Sequence, residues 1–199
     1  MAKTVDYYVF LASPWAYLGS QRFADIARRH GATVRIIPMA AAEVFPVSGG
    51  LPLAKRAPQR QAYRIVELKR WREFLGVPLN LQPSFFPMNE ALAARLVIAA
   101  REAGQDAVGL AHAMMRAVWA EDRNIADPEI LEQIVTETGL DPAKLFAAAE
   151  SDAVQAEYAR GTQQAIDANV FGAPSYVIGG EIFWGQDRLD FVDRALAKA

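Results

Sequence analysis

Two short segments hold the residues best suited to chemistry. The first is residues 13–16, Ser-Pro-Trp-Ala, which lie between a run of β-branched and aromatic residues and a helical pattern. A serine followed by a proline is typical of a helix start, because the hydroxyl can cap the helix and the proline suits its first position. The free N–H groups of a helix N-terminus stabilise an anion such as a thiolate. Ser13 is therefore predicted to be either a plain cap or part of a site for a sulfur anion.

The second segment is Gly-Ala-Pro at residues 172–174, directly ahead of a short strand pattern. A proline in this position is often cis, and the residue before it can then expose backbone groups that pair with an extended ligand. The alternative is an ordinary proline between a loop and a strand. The sequence leaves both interpretations of Ala173 and Pro174 open.

Other kinds of site have little support. The chain contains no cysteine, which excludes a protein thiol nucleophile, CxxC redox chemistry and thiolate metal ligands. Its two histidines, His30 and His112, lack the spacing of a metal site, so we interpret them as structural or surface residues and predict no metal. No GxGxxG, Walker or GxSxG motif occurs. Sulfur chemistry at Ser13 would therefore need a thiol supplied by a ligand.

The composition limits the classes of binding partner and the cellular location that we expect for this protein. The 199 residues include 21 Lys and Arg against 23 Asp and Glu, with a pI of about 5.7, whereas nucleic-acid-binding domains commonly exceed a pI of about 9. We therefore predict no nucleic-acid partner. We also find no signal-peptide pattern and no uninterrupted apolar run of about 18 residues, so we expect a cytoplasmic protein without membrane contact.

The surrounding pattern predicts an α/β fold. Residues 4–10 and 33–37 are predicted to be buried strands on either side of a helix from Ser13 to about His30, which makes a β-α-β unit with parallel strands. Residues 175–178 and 181–184 flank Gly-Gly and predict a hairpin, and a last helix runs from Asp187 to Ala197.

The middle of the chain has a different character. Residues 43–58 contain three prolines and two glycines and are predicted to form a loop. A helix is expected over residues 59–75, and five more follow up to residue 168, starting near Asn89, Asp106, Asp127, Asp141 and Ser151. We predict one α/β unit, residues 1–42 and 169–199, interrupted by an all-helical insertion domain, residues 43–168.

Three of these segments resemble a known family. They are residues 13–19 (Ser-Pro-Trp-Ala-Tyr-Leu-Gly), 170–174 (Val-Phe-Gly-Ala-Pro) and 183–189 (Phe-Trp-Gly-Gln-Asp-Arg-Leu). In content and order they are similar to the 2-hydroxychromene-2-carboxylate isomerases and the related kappa-class glutathione transferases. The resemblance implies a DsbA-type thioredoxin-like domain, built from the β-α-β and β-β-α halves and interrupted by the helical domain.

The resemblance also implies glutathione as the cofactor. Ser13 would hydrogen-bond the glutathione sulfur and favour its thiolate. The backbone of Ala173, ahead of the cis proline, would pair with the cysteinyl part of the tripeptide. Gln186 and Asp187 would hold the γ-glutamyl group, and Arg60 would pair with the glycine carboxylate.

The implied reaction is an isomerisation of a small aromatic substrate. The thiolate would add to the carbon conjugated with the pyruvate group, the ring would open, a former double bond would rotate, and elimination would give trans-o-hydroxybenzylidenepyruvate. Asn89 could contact the substrate or cap its helix, and we favour the cap. The family implies a homodimer. Six aromatic residues are candidates either for the substrate pocket or for the core: Trp15, Tyr17, Phe45, Phe85, Phe86 and Trp119.

Two alternatives stay open. One is a kappa-like glutathione transferase or isomerase that acts on another aromatic electrophile. The other is a non-catalytic thioredoxin-like binding module. The segment Asp187-Arg188 argues against the module, because a scaffold that binds no glutathione has no need of a γ-glutamyl site.

Overall fold

The elements follow the predicted order. The computed structural model describes residues 3–198, in which strand β1 (Thr4–Val9) leads into helix α1 (Pro14–Arg29) and strand β2 (Thr33–Pro38). The chain ends with strands β3 (Ser175–Ile178) and β4 (Glu181–Trp184), a 3-10 turn (Gln186–Arg188) and helix α9 (Leu189–Ala197). Between these parts lie α2 (Ala41–Ser48), α3 (Pro58–Leu75), α4 (Ala91–Glu102), α5 (Ala107–Trp119), α6 (Pro128–Glu137), α7 (Pro142–Ala149) and α8 (Asp152–Asp167).

Strand β1 lies inside a four-stranded sheet of order β2-β1-β3-β4. It runs parallel to β2 and antiparallel to β3, with Tyr8 opposite both Ile37 and Ser175. Because β1 and β3 run in opposite directions, the end of β1 lies beside the beginning of β3. This pairing brings the turn before α1 next to the loop before β3.

One hydrophobic cluster joins the sheet to the helices. It contains Val5 and Tyr7 of β1, Phe23 of α1, Leu96 of α4 and Leu110 of α5, all fully buried. Helices α4 and α8 both pack against β2. The helices of the middle region therefore help to hold the strands that carry the two candidate segments. No helix among residues 3–198 is long and apolar enough to cross a membrane.

The prediction that residues 43–58 form a loop is wrong for its first part, where α2 continues to Ser48. Pro46 lies inside α2 and cannot donate to the carbonyl of Ala42, but in an eight-residue helix this removes a single hydrogen bond. Burial of Val44 and packing of Phe45 against Phe10 favour the helix. Burial of these two apolar side chains therefore outweighs the local effect of the proline.

Five of the predicted caps are confirmed, and the one predicted at Asn89 is displaced by one residue. Asn89 accepts a hydrogen bond from the Ala91 N–H at 3.0 Å, and it stands one residue before the N-cap position Glu90. Elsewhere the capping side chain accepts a hydrogen bond from a first-turn N–H, as it does at Ser13, Asp106, Asp127, Asp141 and Ser151.

Candidate functional site

Ser13 caps α1 and keeps its hydroxyl proton available. Its backbone is extended (φ −85°, ψ 121°), Pro14 is the first helical residue, and Ser13 Oγ accepts a hydrogen bond from the Ala16 N–H at 3.3 Å. The hydroxyl donates in the other direction, to the Ala173 carbonyl oxygen at 3.5 Å. This second bond is at the long limit for a hydroxyl donor, so the proton can turn towards a better acceptor.

The structure brings Ala173 and Pro174 to Ser13, as the pairing of β1 with β3 requires. The Ala173–Pro174 peptide bond is cis, which confirms the prediction. The loop is held on both sides: Ser175 Oγ donates to the Gly172 carbonyl at 2.7 Å, and the Gly185 N–H donates to the Pro174 carbonyl at 2.9 Å. Ala173 itself is half-buried.

Gln186 and Asp187 follow Gly185 and differ in exposure. Gln186 is buried, and its side-chain carbonyl accepts a hydrogen bond from Arg22 Nη1 at 2.8 Å, so this side chain is already used inside the protein. Asp187 is exposed and pairs with Arg188 at 2.7 Å. Gly185 has a φ of +105°, and a Cβ there would lie 2.4 Å from Asp187 Oδ1, so this turn requires glycine.

Arg60 is not brought into contact with the other candidate residues. It is exposed on the first turn of α3, and within residues 3–198 no hydrogen bond joins it to Ser13, Ala173 or Asp187. Its charge is one cause of the lowered pKa of Arg56, after the larger effect of burial. The first turn of α3 is thus a region of positive charge.

Comparison with known proteins gives the family. Residues 4–197 match the model of the DsbA-like thioredoxin domain. A 2-hydroxychromene-2-carboxylate isomerase of Sphingobium xenophagum is 32% identical, covering 98% of this chain and 99% of its own. One from Pseudomonas putida is also 32% identical, covering 98% and 94%. The chain belongs to the DsbA-like thioredoxin family, in the branch of the 2-hydroxychromene-2-carboxylate isomerases.

The family resemblance extends to the three-dimensional structure. A solved 2-hydroxychromene-2-carboxylate isomerase superposes with a TM-score of 0.83 and 27% identity, over 98% of this chain and 95% of that chain. The family predicted from the three motifs is therefore confirmed, and so is a thioredoxin-like α/β fold with a helical insertion.

The aromatic candidates of this isomerase-like chain divide between core and surface. Trp119 is fully buried, and Tyr17 is buried with its hydroxyl donating to the Pro78 carbonyl at 2.9 Å, so both belong to the core. Phe86 is half-buried against Trp119, with ring centroids 5.1 Å apart. Half-buried Trp15 packs on the hydrophobic cluster that joins the sheet to the helices, and half-buried Phe45 packs on Phe10. Phe85 is exposed.

The histidines have structural partners. His30 Nε2 lies 2.6 Å from Asp193, and His112 Nδ1 lies 2.6 Å from Ser20 Oγ, beside a groove of about 300 Å³. Ser20 Oγ also lies 2.9 Å from the Tyr17 carbonyl oxygen, within its own helix. Within residues 3–198, no group of three His, Asp or Glu side chains is arranged to hold a metal ion.

Glu90 belongs to the site although the sequence does not suggest it. Its Oε2 accepts a hydrogen bond from the Ala12 N–H at 2.6 Å and so holds the turn directly before Ser13. Burial raises the pKa of Glu90 to about 7, against the opposite effect of the Ala12 and Leu11 N–H groups. Ala12 and Glu90 are 78 residues apart in the chain, so no local pattern could relate them.

We expect Glu90→Gln to reduce the pH dependence of stability. Because the folded-state pKa lies above the ordinary value of 4.5, protonation of Glu90 contributes stability that is complete below about pH 4.5 and is lost as the pH rises through about 7. The glutamine side chain is neutral at every pH and retains an oxygen for the Ala12 N–H. Between about pH 5 and about pH 8, the unfolding free energy of the variant should therefore rise by on the order of 1 kcal/mol relative to that of the parent. This figure is reduced for solvent screening, because Glu90 is half-buried.

Urea unfolding of both proteins at the two pH values measures this difference. The control is Glu132→Gln, which removes the same charge from an exposed position on α6. A parent and a Glu90→Gln variant with the same change in unfolding free energy between the two pH values would contradict the prediction.

Proposed function

We propose that this protein is a glutathione-dependent isomerase that interconverts 2-hydroxychromene-2-carboxylate and trans-o-hydroxybenzylidenepyruvate. The substrate is that of the relatives' names, and glutathione is suggested by the motifs around Ser13, Pro174 and Asp187. The observation that carries the proposal is the contact of the Ser13 hydroxyl, at the N-terminus of α1, with the Ala173 carbonyl ahead of a cis proline. A chain without cysteine needs a thiol from a ligand at such a site.

The hydrogen bonds of Ser13 support a role as donor to sulfur. Its oxygen accepts from the Ala16 N–H, so the single hydroxyl proton points away from the helix and is held only by a long bond. A thiolate is a stronger acceptor than that carbonyl, and the positive end of the α1 dipole adds favourable electrostatics. The ordinary pKa of a thiol is about 8.5, and both effects lower it. When bound, glutathione supplies a thiolate that adds reversibly to the substrate's conjugated double bond and allows it to rotate.

The backbone of Ala173 is suited to the cysteinyl part of glutathione. Among the hydrogen bonds within residues 3–198, none uses the Ala173 N–H, and the Ala173 carbonyl has only the long bond from Ser13. An extended peptide can pair with both groups, as a strand adds to a sheet edge. Pro174 is buried and holds the loop in place.

The γ-glutamyl and glycine ends of glutathione need charged partners. We assign the γ-glutamyl ammonium to the exposed carboxylate of Asp187. Asp187 lies two residues after Gly185, whose N–H donates to the Pro174 carbonyl and so connects this turn with the loop that carries Ala173. Gln186 would contribute through its backbone, because its side chain is held by Arg22. Arg60 would pair with the glycine carboxylate from the exposed first turn of α3.

We expect glutathione binding to depend on Asp187 and thiolate formation to depend on Ser13. In calorimetry near neutral pH, Asp187→Asn should weaken binding roughly tenfold or more, because one charge-assisted hydrogen bond is lost. Ser13→Ala should bind glutathione with less thiolate, measured by ultraviolet difference titration. Asp190→Asn, which changes another exposed carboxylate at the start of α9, and Ser151→Ala, which removes an equivalent cap from α8, are the controls. Undetectable binding to the parent would refute glutathione as the cofactor.

We expect isomerase activity only when glutathione is added. With 2-hydroxychromene-2-carboxylate as substrate, Ser13→Ala should lower kcat by roughly a hundredfold. Losses of this size are usual when one hydrogen-bond donor to a catalytic anion is removed. Ser151→Ala should stay close to the parent, although both variants lose a helix cap of about 1 kcal/mol. A glutathione-dependent reaction with another aromatic electrophile, but none with this substrate, would support the transferase alternative instead.

We also propose that the protein acts in the cytoplasm as a homodimer. Tyr63, Val66 and Phe74 are exposed on one side of α3, an apolar strip that a second copy could cover. Light scattering should then give twice the chain mass, and Phe74→Glu should shift the population towards the monomer. A parent that is monomeric at tens of micromolar would rule out the homodimer.

A further inference from the structure

Arg64 lies on the buried face of α3. It is 9% exposed and stands one helical turn before the fully buried Leu68, on the side of the helix that packs against the core. Trp71, seven residues on, is half-buried on the same side. A charged side chain in such a position is normally paired with an opposite charge and fully hydrogen-bonded.

Arg64 has no such partner within residues 3–198. Its Nη2 is buried without a hydrogen bond, and no carboxylate forms a salt bridge with it there. The nearby charge that acts on it has the same sign: burial first, and then the charge of Arg56, lowers the pKa of Arg64 to about 10. The guanidinium therefore remains charged at neutral pH and lacks an anion.

Two aromatic rings contact the guanidinium. Arg64 Cζ lies 5.4 Å from the centroid of the Phe86 ring and 5.6 Å from the Trp119 ring, which is within the range of cation–π contacts. Rings do not replace the acceptors that five N–H groups require. Trp119 Nε1 is a second buried donor that has no partner among the described residues. Donors without acceptors, next to flat apolar surfaces, are suited to a carboxylate carried by an aromatic or conjugated molecule.

The same segment that contacts Arg64 also reaches the turn before Ser13. Phe86 packs on Arg64, and Glu90, four residues later, accepts the hydrogen bond from Ala12. Four residues span at most roughly 14 Å, which is comparable to the length of a small two-part aromatic substrate. Residues 83–90 lie outside helices and strands, and the segment is anchored at Ser84 by Asp122 and at Glu90 by Ala12.

We propose that Arg64 binds the carboxylate of the electrophilic substrate, with Phe86 against the conjugated chain. This proposal rests on the isomerase function above for the identity of the substrate. The substrate carboxylate would then lie near Phe86, at one end of residues 83–90. Ser13 would act near Glu90, at the other end. A guanidinium matches the two oxygens of a carboxylate with two parallel hydrogen bonds.

Equilibrium binding of two probes without glutathione tests the proposal. The first probe is trans-o-hydroxybenzylidenepyruvate, and the second is trans-2-hydroxybenzylideneacetone, in which a methyl group replaces the carboxylate. Arg64→Met should weaken binding of the pyruvate roughly tenfold to a hundredfold and leave binding of the methyl ketone within about twofold. Arg64→Lys, which keeps the charge without the planar fork, should fall between. Lys69→Met, on the exposed side of α3, should match the parent.

Thermal unfolding of the same variants separates a binding role from a structural one. Removal of an unpaired buried charge should leave the Tm of the ligand-free protein unchanged or raise it, whereas a guanidinium needed for the fold would lower it on replacement by Met. The proposal is overturned by a lowered Tm, by equal weakening of both probes, by no weakening, or by a parent that does not bind the pyruvate. Because glutathione is absent, none of these results depends on the Ser13 and Asp187 experiments.

Discussion

The antiparallel pairing of β1 with β3 is the contact on which the candidate site depends. It places Tyr8 opposite Ser175, so the turn that ends in Ser13 lies against the loop that carries Ala173 and Pro174. Each half of the site is ordinary by itself: a capped helix start and a proline ahead of a strand. Because the two halves meet, the hydroxyl of the capping serine faces the Ala173 backbone, whose N–H makes no hydrogen bond within residues 3–198. Such an arrangement can hold an extended thiol ligand.

Two charged groups have unusual surroundings. Glu90 is a carboxylate whose pKa burial raises to about 7, and Arg64 is a buried guanidinium without a counter-ion among residues 3–198. Arg64 contacts Phe86 of the irregular segment 83–90, and Glu90 is the last residue of that segment. Such groups cost stability, since a buried charge is normally paired. One end of segment 83–90 therefore contacts Arg64, and its other end holds the turn before Ser13.

Local chemistry explains why most elements could be predicted. The caps at Asp106, Asp127, Asp141 and Ser151 depend on residues within one helical turn, so the helix starts follow directly from the sequence. The exception, α2, is equally instructive. Pro46 is a correct local signal against a helix, but burial of Val44 and packing of Phe45 against Phe10, both supplied by distant parts of the chain, decide the outcome.

The sequence by itself determined the strand and helix order, the absence of a protein thiol, and the family, because periodicity, caps and motifs are local properties of the chain. It also indicated Ser13, Ala173, Pro174 and Asp187 as candidates. Tertiary structure alone decided which of these meet, that the Gln186 side chain is used by Arg22, that the Glu90 carboxylate holds the turn before Ser13, and that Arg64 is buried without a hydrogen-bond partner for Nη2 among residues 3–198. The reason is physical: hydrogen-bond partners and desolvation are set by residues far apart in the chain.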